Sequence, residues 1–214
     1  MILYDYFRSS ASFRVRIALQ LKKISYESKE IHLINHGGEQ FSSAYKAINP
    51  QSRVPALQDG NVIITQSLAM IDYLEDKYPK HSIYPIDPVL KAKVKAFALT
   101  IACDIHPLNN SGTLNFLKSE FAANEAHINK WYAHWVQLGF SALEQTLQQT
   151  AGMYCFGNEI TLADICLIPQ VFNAKRFNVD ISAFPVVQRI YEHAMKHPAF
   201  FNASPEQVML KEHE

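Results

Sequence analysis

The sequence predicts an α/β domain followed by an all-α domain, and three observations carry this. Up to Tyr78, short apolar runs alternate with helical patterns in the order βαβ and then ββα. Pro79, Pro85 and Pro88 then interrupt any regular element. Beyond them the apolar residues step by three and four, the rhythm of amphipathic helices. The expected boundaries are an N-terminal domain over 1–80, a linker over 81–88 and a helical domain over 89–214.

Ile2-Leu3-Tyr4 reads as a brief buried strand. Ser12 to Lys22 reads as a helix with Phe13, Ile17, Ala18 and Leu21 on one side. Tyr26 to His32 suits a second strand, followed by a polar loop, Asn35-His36-Gly37-Gly38. Asp59-Gly60-Asn61 lies between Arg53–Leu57 and Val62–Ile64, a strong hairpin signal. Ser67 opens a helix reaching Tyr78. In the second half, Val89, Ala92, Ala96, Leu99 and Cys103 form one stripe. Ile128, Trp131, Trp135, Leu138 and Ala142 form another, and Val136, Phe140, Leu143 and Leu147 a second stripe on that same helix. Thr161-Leu162-Ala163-Asp164 matches a capping box ahead of Ile165–Ile168, and Pro169 predicts a kinked or short helix. Phe184 to His197 makes the last helix, closed by Pro198.

Composition narrows the function classes. Hydrophobic residues make up 48% and charged residues 19% of 214, so the chain has ample core-forming material. Lys plus Arg and Asp plus Glu are both 20, which gives no basic excess for gripping nucleic acid or anionic membrane. No apolar run is long enough for a signal segment or a membrane span. Cys103, Cys155 and Cys166 have neither disulfide nor zinc spacing, and read as reduced thiols of a cytoplasmic protein. His127 and His134, seven apart with no third ligand, read as a surface pair; Tyr4, Tyr6 and the Trp131–Trp135 pair read as core.

Three places carry chemistry. Ser9-Ser10-Ala11-Ser12 sets hydroxyls and backbone N–H groups at a helix start, where the dipole stabilises a thiolate or a phosphate; the same serines also suit plain capping. Val54-Pro55 is either a trans strand entry or a cis turn presenting the Val54 backbone to a ligand. Gln66-Ser67 is either a routine cap or a carboxylate holder at a helix start.

The joint order of these signals resembles the glutathione transferases, and more sharply their zeta class, which includes the maleylacetoacetate isomerases. The class pattern SSCSWRVRIAL is similar to SSASFRVRIAL over Ser9–Leu19. Similar stretches are NPQSRVPA (Asn49–Ala56), QSLA (Gln66–Ala69), LEQTLQQTAG (Leu143–Gly152), ITLADICLIPQ (Ile160–Gln170) and NAKRF (Asn173–Phe177). The resemblance spans essentially the whole chain. It implies a thioredoxin-like domain ahead of a helical bundle, glutathione as cofactor, and a homodimer.

It also implies roles. Ser9 is the catalytic hydroxyl that favours glutathione thiolate, with Ser10 assisting. Ser9, Ser10, Ala11, Ser12, Phe13 and Arg14 form the first part of the glutathione site. Val54, presented by a cis Pro55, pairs with the glutathione backbone. Gln66 and Ser67 hold its γ-glutamyl end and Gln40 its glycyl side, while His106, Asn110 and Ser111 line the site from the helical half. Arg176 is the first choice for a substrate carboxylate and Arg8 the second. The implied reaction is cis–trans isomerisation of maleylacetoacetate to fumarylacetoacetate in tyrosine and phenylalanine breakdown. Thiolate addition would give an enolate, the former double bond would rotate, and elimination would follow. Maleylpyruvate isomerisation, transfer to small α-halo acids and a non-catalytic interaction module are the alternatives.

Three residues depart from the class. Ala11 replaces the usual Cys, so that thiol is not essential here. Phe13 replaces Trp. His106 replaces Gln and is expected to bring a pH dependence to glutathione binding.

Overall fold

Ile2-Leu3-Tyr4 does form a strand, because its apolar side chains are covered on both faces of a sheet. The computed structural model describes residues 1–212. In it β1 (Ile2–Asp5) pairs in parallel with β2 (Glu27–Glu30) and antiparallel with β3 (Ala56–Asp59), which pairs with β4 (Val62–Thr65). The order β2-β1-β3-β4 leaves β1 and β3 central and buried. The β2 strand is shorter than Tyr26–His32, and all four of its residues are exposed; Glu27, Lys29 and Glu30 charge this edge against further strand pairing. Gly60 takes φ +60° in the β3–β4 hairpin, a backbone state that other residues adopt at a cost.

Two helices of this unit pack together. α1 (Ser10–Leu21) buries Phe13, Val15, Ile17, Ala18 and Leu19, and α3 (Ser67–Lys77) packs against it through Met70, Ile71 and Leu74. Between β2 and β3 lies α2 (Ser43–Ile48), which the sequence pattern does not reveal. Six residues are too few to show a period, but Ser42 caps it by accepting from Tyr45 N at 3.2 Å.

The chain divides into two compact units, Met1–Ser82 with the segment from His197 onward, and Ile83–Lys196. This differs from the expected boundaries at both ends. Ile83 and Tyr84, expected in a linker, are buried in the second unit, where the Ile83 carbonyl accepts from Leu162 N at 3.1 Å. The C-terminal segment, expected with the helical domain, belongs to the first unit. Phe200 and Ala203 are buried there, and Arg16 Nε of α1 donates to the Ala203 carbonyl at 2.9 Å. This segment carries α10 (Pro198–Phe201) and α11 (Pro205–Glu212).

The second unit is helical. Asp87 caps α4 (Pro88–Leu99), a π-helical turn follows over Thr100–Ile105, and α5 (His106–Asn109) and α6 (Ser111–Phe121) come next. The long α7 (Glu125–Thr150), α8 (Leu162–Arg176) and α9 (Pro185–Ala194) complete it. The stripe expected inside α4 lies outside: Val89, Ala92, Ala96, Leu99 and Cys103 are exposed, while Val94, Phe97, Ala98, Ile101 and Ile105 are buried. On α7 the buried face is Ile128, Tyr132, Val136, Phe140, Leu143 and Leu147; Leu138 and Ala142 are exposed, and Trp131 and Trp135 only half-buried. Pro169 does not shorten α8, which runs through it. The final expected helix ends at Ala194 rather than His197.

The capping box holds as expected. Asp164, fully buried, accepts from Thr161 N at 2.8 Å, Thr161 Oγ1 at 3.0 Å and Cys155 N at 2.8 Å. Burial pushes its carboxyl pKa up, while these hydrogen bonds pull it down. Among the described residues no helix is long and apolar enough to cross a membrane, and no acidic, His or Cys cluster could hold a metal ion.

Candidate active site

The junction of β1 and α1 carries the first of the candidate site residues. A turn closes with Ser9 N donating to the Tyr6 carbonyl at 2.8 Å. Ser9 then stands as N-cap with extended backbone (φ −72°, ψ 118°), and its Oγ accepts from Ser12 N at 3.2 Å. A hydroxyl accepting from a backbone N–H still has its own hydrogen to donate. The first turn of α1 contains no acidic residue, so no carboxylate of the helix itself neutralises the positive end of the dipole. Ser10 and Ser12 are buried beneath Ser9, and Ser12 Oγ has no hydrogen-bond partner in the protein. Ala11 is half-buried and Phe13 fully buried, a core ring rather than a ligand-facing one.

A hydrogen bond ties this junction to the Gln66-Ser67 helix start. Buried Arg14 donates from Nη1 to Ser67 Oγ at 3.4 Å, linking α1 to the first residue of α3. Gln66, the N-cap of α3, has φ +70° and ψ 115°, a sparsely populated conformation for a residue with a Cβ. Its carbonyl accepts from Met70 N at 3.0 Å, and its Nε2 donates to Gln51 Oε1 at 2.8 Å, so helix and loop together hold it. The Val54–Pro55 bond is cis, the rarer of the two readings. Val54 is half-buried, and the preceding Arg53 carbonyl accepts from Tyr45 OH at 2.8 Å and Asn49 Nδ2 at 2.7 Å. Burial pushes the Tyr45 hydroxyl pKa well up, so it stays a neutral donor. Gln40 is buried on the loop after β2; its Nε2 donates to the Leu33 carbonyl at 3.4 Å, and its Oε1 has no partner in the protein. Arg8 is exposed, with its guanidinium 4.9 Å from the Phe7 ring centroid.

In the second unit the expected residues fall on three elements. His106 starts α5, directly after the π-helical turn, and is half-buried. Asn110 caps α6: its Oδ1 accepts from Thr113 N at 3.0 Å, and its Nδ2 donates to the Pro107 carbonyl at 2.7 Å. Its amide therefore caps α6 through Oδ1 and bonds a carbonyl of α5 through Nδ2, a duty that the expectation of a glutathione contact did not include. Ser111 is exposed beside it. Arg176 is exposed at the end of α8, with its guanidinium 4.9 Å from the Phe177 ring centroid; that ring stacks on Tyr132 at 4.0 Å. Burial raises the Tyr132 hydroxyl pKa, and the Arg176 charge opposes this.

Sequence reasoning missed Tyr45, Asn49 and Arg16. Asn49 had a readable signal, the Asn-Pro turn inside NPQSRVPA. Tyr45 and Arg16 act on backbone carbonyls, which no residue pattern marks.

Comparison with known proteins identifies the family. Residues 3–82 match the family model described as "Glutathione S-transferase, N-terminal domain". A probable maleylacetoacetate isomerase of Vibrio cholerae is 46% identical over 206 residues, covering 96% of both chains. A solved maleylpyruvate isomerase, described as a bacterial glutathione S-transferase of the zeta class, superposes with a TM-score of 0.94 at 41% identity, covering 97% of this chain and 98% of its own. The chain belongs to the zeta-class glutathione S-transferases. A maleylacetoacetate isomerase of Methylobacterium extorquens AM1, solved with bound malonate and glutathione, superposes on this transferase with a TM-score of 0.93 at 36% identity, covering 97% of each. The β2-β1-β3-β4 sheet and the separate helical unit are thus the transferase fold, with a thioredoxin-like first unit.

Proposed function

We propose that this zeta-class transferase is a glutathione-dependent isomerase that converts maleylacetoacetate to fumarylacetoacetate. The observation that carries the reading is Ser9, an N-cap hydroxyl with its hydrogen still to donate, at a helix start that has no acidic residue in its first turn. The residues around it fit glutathione. A tripeptide with two carboxylates, amide groups and a thiol calls for hydroxyl, amide and backbone partners, and the first unit gathers these. Ser12 Oγ and Gln40 Oε1 are buried polar atoms with no protein partner, the kind of atoms a polar ligand satisfies.

Bound glutathione supplies the thiolate that adds to the cis double bond and departs after rotation. The protein's share is electrostatic and positional. Ser9 donates its O–H to the sulfur and, with the α1 N-terminus and Ser10 nearby, disfavours the protonated thiol. A depression of about two units from the ordinary ~8.5 leaves mostly thiolate at neutral pH. Gln66 and Ser67 hold the γ-glutamyl carboxylate, Val54 offers backbone groups, and Gln40 receives the glycyl end. Arg176, with Arg8 as second candidate, anchors a substrate carboxylate through a guanidinium fork. His106 and Ser111 contribute polar groups from the helical unit.

The test is glutathione-dependent turnover of maleylacetoacetate with wild type and Ser9→Ala side by side. Turnover that falls at least ~10-fold, equivalent to ~1.4 kcal/mol, is the expected result. An undiminished rate would move thiol activation to Ser10 or the helix N-terminus. No turnover despite glutathione binding would sink the isomerase reading. The maleylpyruvate isomerase neighbour with a TM-score of 0.94 supports a second reading, in which maleylpyruvate is the better substrate. The kcat/KM ratio for the two maleyl acids in the same assay decides between them.

The proposed assembly is a cytoplasmic homodimer. The outward stripe of α4 supports a second copy as the partner: Val89 is 61% and Leu99 46% exposed, on a helix face that otherwise meets water. Sedimentation at micromolar concentration should show a dimer, and Leu99→Glu should shift it toward monomer. A wild-type monomer under those conditions would remove this part of the proposal.

A further inference from the structure

Arg16 is buried, yet its guanidinium is bonded on every side within the first unit. Its Nη1 donates to both oxygens of Asp5 at 2.7 and 2.8 Å, at the end of β1. Its Nη2 donates to the Phe7 carbonyl at 3.0 Å, and its Nε to the Ala203 carbonyl at 2.9 Å in the C-terminal segment. The Phe13 ring lies 5.5 Å from the guanidinium carbon.

The Phe7 carbonyl belongs to the turn that delivers Ser9. That turn is closed by Ser9 N on the Tyr6 carbonyl, and Phe7 is the residue inside it that a side chain grips. We propose that Arg16 is the positioning residue for the Ser9 hydroxyl, fixing the turn against both the end of β1 and the C-terminal segment. A planar fork with five donors can serve a carboxylate and two carbonyls at once, whereas an ammonium on a flexible stem cannot hold all three in one geometry. Arg14, two residues earlier, points elsewhere and serves Ser67, so the two buried arginines of the RVR run have separate tasks. The distant segment around Ala203 thereby becomes a support of the thiol-activating turn, although it is nearly the whole chain away in sequence.

This inference rests on the reading of Ser9 as the thiol-activating group, and the experiment separates the two. The full chain is prepared as wild type, Ser9→Ala, Arg16→Lys, and the double variant Arg16→Met with Asp5→Leu. The double variant removes the ion pair as a unit, which spares the fold an uncompensated buried charge. Thiolate absorbance of bound glutathione is followed against pH, with KM for glutathione measured alongside. In both Arg16 variants the midpoint of thiolate formation should rise by about one pH unit while KM changes less than about twofold. A midpoint that stays put in the folded Arg16 variants but moves in Ser9→Ala would overturn the positioning role and leave Arg16 as fold support. A midpoint that Ser9→Ala also fails to move would overturn the Ser9 reading, and this inference with it.

Discussion

Asp5→Ala is expected to lower stability by about 3–5 kcal/mol, the usual cost of leaving a buried charge without its partner. The Arg16 side chain is 1% exposed and that of Asp5 3%, so neither can turn to water when the other is lost. Both carboxylate oxygens are engaged, so the substitution removes two charge-assisted bonds at once. For a chain of 214 residues this corresponds to a fall in Tm of roughly 6–20 °C. Denaturant unfolding of the single variant beside the apolar double replacement is the check. A loss below about 1 kcal/mol would place the pair among surface-type interactions and contradict its burial.

Asp164→Ala is the second large effect, in the helical unit. The carboxylate carries the capping box of α8 and also satisfies Cys155 N in the preceding loop. Losing an N-terminal cap costs ~0.5–2 kcal/mol, and stranding a buried N–H a further ~1–3 kcal/mol, giving about 1.5–5 kcal/mol together. The buried Cys155 thiol, whose pKa burial and the Asp164 charge both push well up, should stay protonated and unreactive in wild type. In Asp164→Ala it should become accessible to thiol reagents as the loop loosens. Reagent uptake confined to Cys103, the exposed thiol, in both proteins would show that the loop does not depend on Asp164.

How much of this was legible in the sequence depended on whether the determining chemistry was local. The β3–β4 hairpin, the capping box and the serine-opened α1 are each specified by neighbours within a few residues; the first two are found where expected, and α1 begins at Ser10 rather than Ser12. The faces of α4 were misread, because a stripe of small and apolar residues fixes a period but not which side the core occupies. Val94, Ala98, Ile101 and Ile105 make an equally good stripe, and their bulk is what the unit buries. The return of the C-terminal segment to the first unit rests on the burial of Phe200 and Ala203 and on a long-range bond from Arg16 to a carbonyl, neither of which has a local cue in the sequence. Within the site, Ser9, Gln66, Ser67 and Val54 were readable as residues near turns and helix starts. The Asn49 and Tyr45 donors that fix the Arg53 carbonyl show themselves only in three dimensions.

The π-helical turn Thr100–Ile105 has a consequence for how the helical unit tolerates change. A widened turn adds residues without ending the helix, so it acts as a phase shift between α4 before it and α5 after it. The outward stripe of α4 and the half-buried position of His106 are therefore set by different registers. Gly139 of α7 lets the turn approach closely, since a Cβ there would stand 2.3 Å from Ile105 Cδ1. Deleting one residue within Thr100–Ile105 would restore regular α-helical hydrogen bonding and remove the phase shift between α4 and α5. A protein with such a phase shift can remodel the surface carried by α4 while keeping α5 in place, and the two surfaces become separately adjustable.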